Sequence, residues 1–326
     1  MQGAPGLAFE TWDTTNLNPP TDAEPYTQPR IMIRILGTIF AGISGLAFGS
    51  FLNVCLSRWP QGESIVHPRS HCRNCSHTLA WWENVPLFSW FALRGRCRNC
   101  QSAISLRYPL VELSIGALWA WAMWSSSVWA FDPEQTTLTA YLEVLRIIGN
   151  IVSYWLLIAL AMLDAEHLWL PNFLTLPGIA LGLGAFSLPE AIQKYWGEFY
   201  PQSSGFFQNT IKRVIEILAA AALILLIRWV YWLIRRREGV GLGDAKLMAM
   251  LAAWLGLPGA LLSFVLGVVL GTLVAVVLRL IPSARRDSDS WALSKLPLGT
   301  FLCIGGIVSS LWGQPIIAAY LRLAGF

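Results

Sequence analysis

Charge is what this chain has least of. Only 13% of its 326 residues are Asp, Glu, Lys or Arg, while 55% are hydrophobic. Ordinary soluble domains carry roughly 25% charged residues, so the scarcity excludes a water-soluble globular protein and leaves an integral membrane protein. The net charge of +4 is too small to point to a nucleic-acid partner, and its placement matters more than its sum. Residues 1–30 lack a basic stretch followed by an apolar core. They are polar, Pro-rich and acidic (Glu10, Asp13, Asp22, Glu24), which predicts no signal peptide and a disordered tail over 1–34. A Gly-rich turn after a strand, the usual cradle for a nucleotide-like cofactor, is also missing.

Long apolar runs are plentiful. About 20 apolar residues cross the hydrocarbon of a bilayer, and the candidates are 35–56, 110–131, 147–163, 171–188, 214–234, 244–257, 260–281 and 300–321. The run 247–281 is too long for one straight span, and Gly256-Leu257-Pro258-Gly259 supplies the break. The fold class expected is therefore all-α and polytopic, with about eight transmembrane helices.

Lys and Arg mark the cytoplasmic side. They cluster between the first two spans (Arg58, Arg69, Arg73, Arg94, Arg96, Arg98, Arg107), after the fifth (Arg235, Arg236, Arg237, Lys246) and before the last (Arg285, Arg286, Lys295). With these segments inside, both termini lie outside. The third span then ends at Asp164 and the sixth begins at Asp244, so both carboxylates are expected at the cytoplasmic face.

The six cysteines divide into two kinds. Cys55 and Cys303 lie in apolar spans and read as packing residues. Cys72, Cys75, Cys97 and Cys100 form Cys-x2-Cys-x21-Cys-x2-Cys, close to the spacing of a four-thiolate zinc site. Arg96-Cys97-Arg98-Asn99-Cys100 nearly repeats Arg73-Asn74-Cys75, as two pseudo-symmetric half-sites would. A segment of about 50 residues is too small to hold a core without a staple, so the zinc is expected to be structural, with His71 and His77 as bystanders.

Asp244, in Gly241-Leu242-Gly243-Asp244, could simply cap a helix, and a lone Asp at a span end means little. Two at one face suggest a carboxylate dyad, in which one member keeps a proton and the other acts as general base. A helix N-terminus favours negative charge, which makes Asp244 the expected ionised member. Glu166 ranks next as a carboxylate but reads as solvated, as does His167. Lys246 is expected to point away and snorkel towards lipid headgroups. Glu112, inside the second span, must find a partner. Glu143 and Arg146 receive a structural reading.

These residues converge on a family. Residues 36–312 resemble bacterial type IV prepilin leader peptidases, the membrane aspartic proteases of the Gly-x-Gly-Asp kind. The resemblance rests on Gly49-Ser50-Phe51-Leu52-Asn53-Val54, Arg69-Ser70-His71-Cys72, Trp82-Glu83-Asn84-Val85-Pro86-Leu87, Leu93-Arg94-Gly95-Arg96-Cys97 and Ile104-Ser105-Leu106-Arg107-Tyr108-Pro109-Leu110-Val111-Glu112. Its catalytic aspartates land on Asp164, before Leu170-Pro171-Asn172, and on Asp244. The chain departs from the pattern at Leu296-Pro297-Leu298-Gly299-Thr300-Phe301-Leu302, where Leu298 and Thr300 replace Phe and Pro, and at Glu166, where many members have Asp.

The resemblance implies a first transmembrane helix at 35–57, a cytoplasmic zinc domain at 58–109 and a peptidase core at 110–326. It also implies prepilin or pseudopilin substrates with a basic leader and an apolar helix, cut at the cytoplasmic face of the bacterial inner membrane. N-methylation of the new terminus with S-adenosylmethionine is implied as well, with no residues assigned to the methyl donor. The rival functions are a peptidase without methylation, a proton-coupled transporter with carboxylates near mid-bilayer, and a non-enzymatic assembly factor.

Overall fold

The computed structural model describes residues 27–126, 137–196, 205–237, 241–280 and 296–325. Eight α-helices occupy this part of the chain: α1 (Thr27–Arg58), α2 (Phe88–Ala92), α3 (Arg107–Trp124), α4 (Thr137–His167), α5 (Asn172–Trp196), α6 (Gly205–Arg235), α7 (Leu242–Leu280) and α8 (Leu298–Leu323). No strand occurs among the described residues, only two isolated bridges. The protein is a multi-pass membrane protein: α1, α4, α6, α7 and α8 are each long and apolar enough to cross a bilayer.

Helix boundaries differ from the expected ones where polar residues extend a helix beyond its apolar run. Helix α1 begins at Thr27, inside the stretch expected as tail. Pro29 falls in its first turn, where the missing N–H is harmless, and apolar Ile31-Met32-Ile33 follow directly. Helix α4 starts ten residues before the expected span, with Glu143 and Arg146 ion-paired at 2.9 Å on the added turns. Residues 1–26 of the expected tail, and Arg285, Arg286 and Lys295, lie outside the described residues.

Helix α7 is the hub, packed against α5, α6 and α8, while α8 leans on α4 and α1 runs along α3. The first half of α7 is the most enclosed part of the molecule. Leu247, Met248, Met250, Ala252 and Ala253 have no exposed surface. In contrast, Ile39, Phe40 and Ile43 of α1 and Leu273 and Val276 of α7 are exposed, as lipid-facing side chains are.

The break predicted in the 247–281 run is present. Gly256 adopts φ 74° and ψ 172°, a conformation that side-chain-bearing residues rarely reach. Helix α6 satisfies the backbone groups freed there: Arg213 Nη1 donates to the Ala252 carbonyl (3.3 Å), and Glu216 Oε2 accepts the Leu257 N–H (3.4 Å). The two side chains are themselves paired at 3.1 Å. Unpaired backbone is costly away from water, so this pair stabilises the interruption.

Candidate active site

Asp164 lies in the last turn of α4 and Asp244 in the first turn of α7. Both are buried, with 6% and 8% of their surface exposed, although each sits at a helix end. The Asp164 charge acts on Asp244, and Cys303, one turn into α8, feels the charge of both. Leu170 fills the space beside them. A Cβ built on Gly243 would stand 3.1 Å from it, and one on Gly299 would stand 3.0 Å away.

Asp164 rests on the N-terminus of α8. The Thr300 N–H donates to its Oδ2 at 2.7 Å. The Thr300 hydroxyl has one proton to divide between Asp164 Oδ2 (3.2 Å) and the Ala161 carbonyl (2.9 Å). Gly299 permits the approach, since a Cβ there would meet Asp164 Oδ2 at 2.9 Å.

Asp244 is not the residue before its helix. It is the third residue of α7, and its Oδ2 reaches back to accept the Gly241 N–H at 3.1 Å, which is half of a capping box. Both carboxylates therefore sit at helix N-termini, so that feature does not distinguish them.

The second-ranked groups fall elsewhere. Glu166 accepts from Arg107 Nη1 at the start of α3, with His167 3.9 Å away. Lys246, half-buried, does not point away from the turn. Its ammonium donates to Asn172 Oδ1, joining the Gly-x-Gly-Asp-x-Lys turn to the Leu-Pro-Asn turn. Glu112 finds its partner in the Leu87 N–H (2.8 Å).

The four cysteine thiols converge, all within 4.8 Å of one another. Tetrahedral zinc with bonds of about 2.3 Å sets its sulfurs about 3.8 Å apart, and the Cys72–Cys100 and Cys75–Cys97 separations are 3.8 and 3.9 Å. The pseudo-symmetry read in the sequence extends to the backbone. Cys72 N–H donates to His77 O as Cys97 N–H does to Ser102 O, both at 2.9 Å. Ser76 and Gln101 share φ 57°.

Asn74 and Asn99 donate to Cys100 and Cys75 respectively, each at 3.6 Å, so each knuckle braces the other. The Ser102 hydroxyl lies 3.1 Å from Cys100 and can donate to its thiolate, the form a metal needs. The donor set and spacing thus fit a structural zinc. Neither His71, held to Arg69 O (3.0 Å), nor His77, beside Glu83 (3.4 Å), joins the cluster.

Between this insertion and the facing ends of α1 and α3 lies a cavity of about 800 Å³. Sequence reasoning missed it, because its walls come from segments more than fifty residues apart. Asn53 lines it, and its Oδ1 is buried without a partner while Nδ2 donates to Tyr108 O (3.0 Å).

Two family models match the chain: the bacterial peptidase A24 N-terminal domain over residues 43–126, and the type IV leader peptidase family over 151–276. Together they cover well over half of it. The chain belongs to the type IV leader peptidase family. Curated relatives agree along most of the length. A prepilin leader peptidase/N-methyltransferase of Stutzerimonas stutzeri is 35% identical, covering 86% of this chain and 93% of the relative. Proteins of the same name from Pseudomonas aeruginosa and Myxococcus xanthus are 32% and 36% identical, covering 86% and 81% of this chain and 92% and 71% of their own. No solved structure matches.

Membership in the leader peptidase family sets Thr300 apart. The resemblance read in the sequence expects proline at this position, and a proline could not give Asp164 the N–H that Thr300 gives.

Proposed function

We propose that this protein is a membrane aspartic endopeptidase that removes the leader of type IV prepilins and pseudopilins, and that it methylates the amine so released. The observation that carries the peptidase reading is the meeting of two buried carboxylates, Asp164 and Asp244, at helix N-termini.

One carboxylate takes a proton from water as the water oxygen attacks the scissile carbonyl. The other, protonated, donates to the carbonyl oxygen. Collapse of the tetrahedral intermediate breaks the C–N bond, and the nitrogen leaves with a proton from the dyad. Asp164, with an N–H and a shared hydroxyl on one oxygen, suits the charged base. Asp244, with one backbone donor, suits the acid. Donors to a carboxylate favour its charged form, and the two titrate as a pair. Clustering at one end of the bundle disfavours a proton relay through mid-bilayer.

Zinc is the metal proposed for Cys72, Cys75, Cys97 and Cys100. Four thiolates leave no open coordination position, so its role is to hold the 58–109 insertion together. Residues 110–326 form the peptidase core and 35–57 belong to the first crossing. The positive charge of the insertion and of the segment after α6 supports a cytoplasmic side for both at a bacterial inner membrane, with both termini outside. A basic leader would then stay beside the aspartates while its apolar helix remains in lipid.

The methyl donor proposed is S-adenosylmethionine, which supplies a methyl carbon. When bound, it would hand that methyl group to the amine, which would give up one proton. Incubating a model prepilin with membranes that hold this protein tests both activities by mass spectrometry. Loss of the leader and gain of one methyl group are expected. An intact leader would refute the peptidase reading.

A further inference from the structure

The cavity between the insertion and helices α1 and α3 contains two buried polar groups whose hydrogen-bonding capacity the protein leaves unused. Asn53 is 1% exposed, and its Oδ1 accepts nothing. Glu112 is 6% exposed and makes no ion pair among the described residues. Its carboxylate accepts the Leu87 N–H, with the Ser50 hydroxyl beside it, although a carboxylate offers about four acceptor positions. Arg58, the buried cation on the same wall, does not neutralise it. That guanidinium is committed to the Ser64 and Pro68 carbonyls at 2.8 and 2.7 Å. An unpaired buried carboxylate and an orphaned amide oxygen both call for a ligand that brings donors and positive charge.

We infer that this cavity, walled by Asn53 and Glu112, is the S-adenosylmethionine site of the methylation proposed above, on which the inference rests. The volume, about 800 Å³, lies within the ~300–1,000 Å³ of small-molecule pockets. The ligand's charge fits too: a sulfonium and an ammonium outweigh one carboxylate. Its adenine amino group and ribose hydroxyls are the donors Asn53 Oδ1 lacks. Trp90 and Tyr108 give the cavity flat apolar surface.

A second observation sets the site near the peptidase end of α4. A cleft of about 310 Å³ shares Ser57, Gln61, Arg73, Ser105 and Tyr108 with the cavity, and it ends on Glu166 and His167. Glu166 is two residues beyond Asp164. Cavity and cleft thus share one wall, and the cleft reaches the end of α4 that carries Asp164.

The experiment is equilibrium dialysis of labelled S-adenosylmethionine against the full-length, zinc-loaded protein in detergent, followed by photocrosslinking and peptide mapping. Saturable binding of one equivalent, displaced by S-adenosylhomocysteine, is expected, with the label on peptides from 50–112. Glu112→Gln and Asn53→Leu should each weaken binding at least about tenfold, with zinc content and melting monitored for both. Label confined to other peptides, or Glu112→Gln binding as tightly as the parent, overturns the assignment whether or not Asn53→Leu folds. Absence of any binding overturns it as well. If a prepilin is then still cleaved but gains no methyl group, the methylation reading falls with it and the peptidase reading stands.

Discussion

Thr300 donates its backbone N–H to Asp164 at 2.7 Å, joining α8 to α4 across 136 residues of chain. Its hydroxyl is shared between the same carboxylate and the Ala161 carbonyl. Thr300→Val keeps the N–H and removes the hydroxyl. A lost hydrogen bond to a charged group is worth about 1.5–3 kcal/mol at most. The shared hydroxyl is expected to contribute less than that range, about 0.7–1.4 kcal/mol, a roughly 3- to 10-fold fall in kcat with KM little changed. Thr300→Ser should retain parental kinetics. Steady-state cleavage of a model prepilin in vesicles checks both.

Gly299 sits directly over the same carboxylate, and a Cβ there would approach Asp164 Oδ2 at 2.9 Å and Leu170 at 3.0 Å. Gly299→Ala must move either Asp164 or the start of α8. Cleavage is expected to fall by more than about tenfold, since small misplacements of catalytic groups are costly, while insertion into membranes and zinc content stay at parental levels.

Lys246, two residues after Asp244, and Asn172, at the start of α5, join the Gly-x-Gly-Asp turn to the Leu-Pro-Asn turn through one hydrogen bond. Lys246→Met and Asn172→Ala should each reduce cleavage. The double variant should be no worse than the poorer single one, because both remove the same contact. Additive losses would show that each residue acts separately.

Zinc removal should act on the insertion and leave the helices folded. With a strong chelator, or in Cys75→Ser, residues 58–107 are expected to become sensitive to protease while α-helical circular dichroism falls little. The insertion contains only short helices, among them α2 and the turns at Trp59–Gln61 and Trp81–Asn84.

What the sequence revealed and what it hid follow from the membrane. Cysteine spacing fixed two half-sites, because metal geometry acts locally, and the knuckles repeat even to the φ of Ser76 and Gln101. The interruption of α7 was also local, written in Gly256 and Pro258. The partners of Asp164, Lys246 and Glu112 were hidden. In a helix that is apolar on every side, as α7 is, periodicity no longer tells which face meets which neighbour. Thr300 was visible only as a departure from the family's motif. Its meaning depended on α8 placing its first turn against the end of α4. The cavity was hidden for a similar reason, since Asn53 and Glu112 read as two isolated polar residues in two different spans.

The most direct test of the account is leader cleavage in membranes by the parent, Asp164→Asn and Asp244→Asn, with Glu166→Gln as control. Glu166 is held by Arg107 rather than facing the pair, so its variant should keep most of the activity. Both Asp variants are expected to lose cleavage by several orders of magnitude, with expression and zinc content unchanged. Retention of cleavage by either Asp variant would contradict a mechanism run by these two carboxylates.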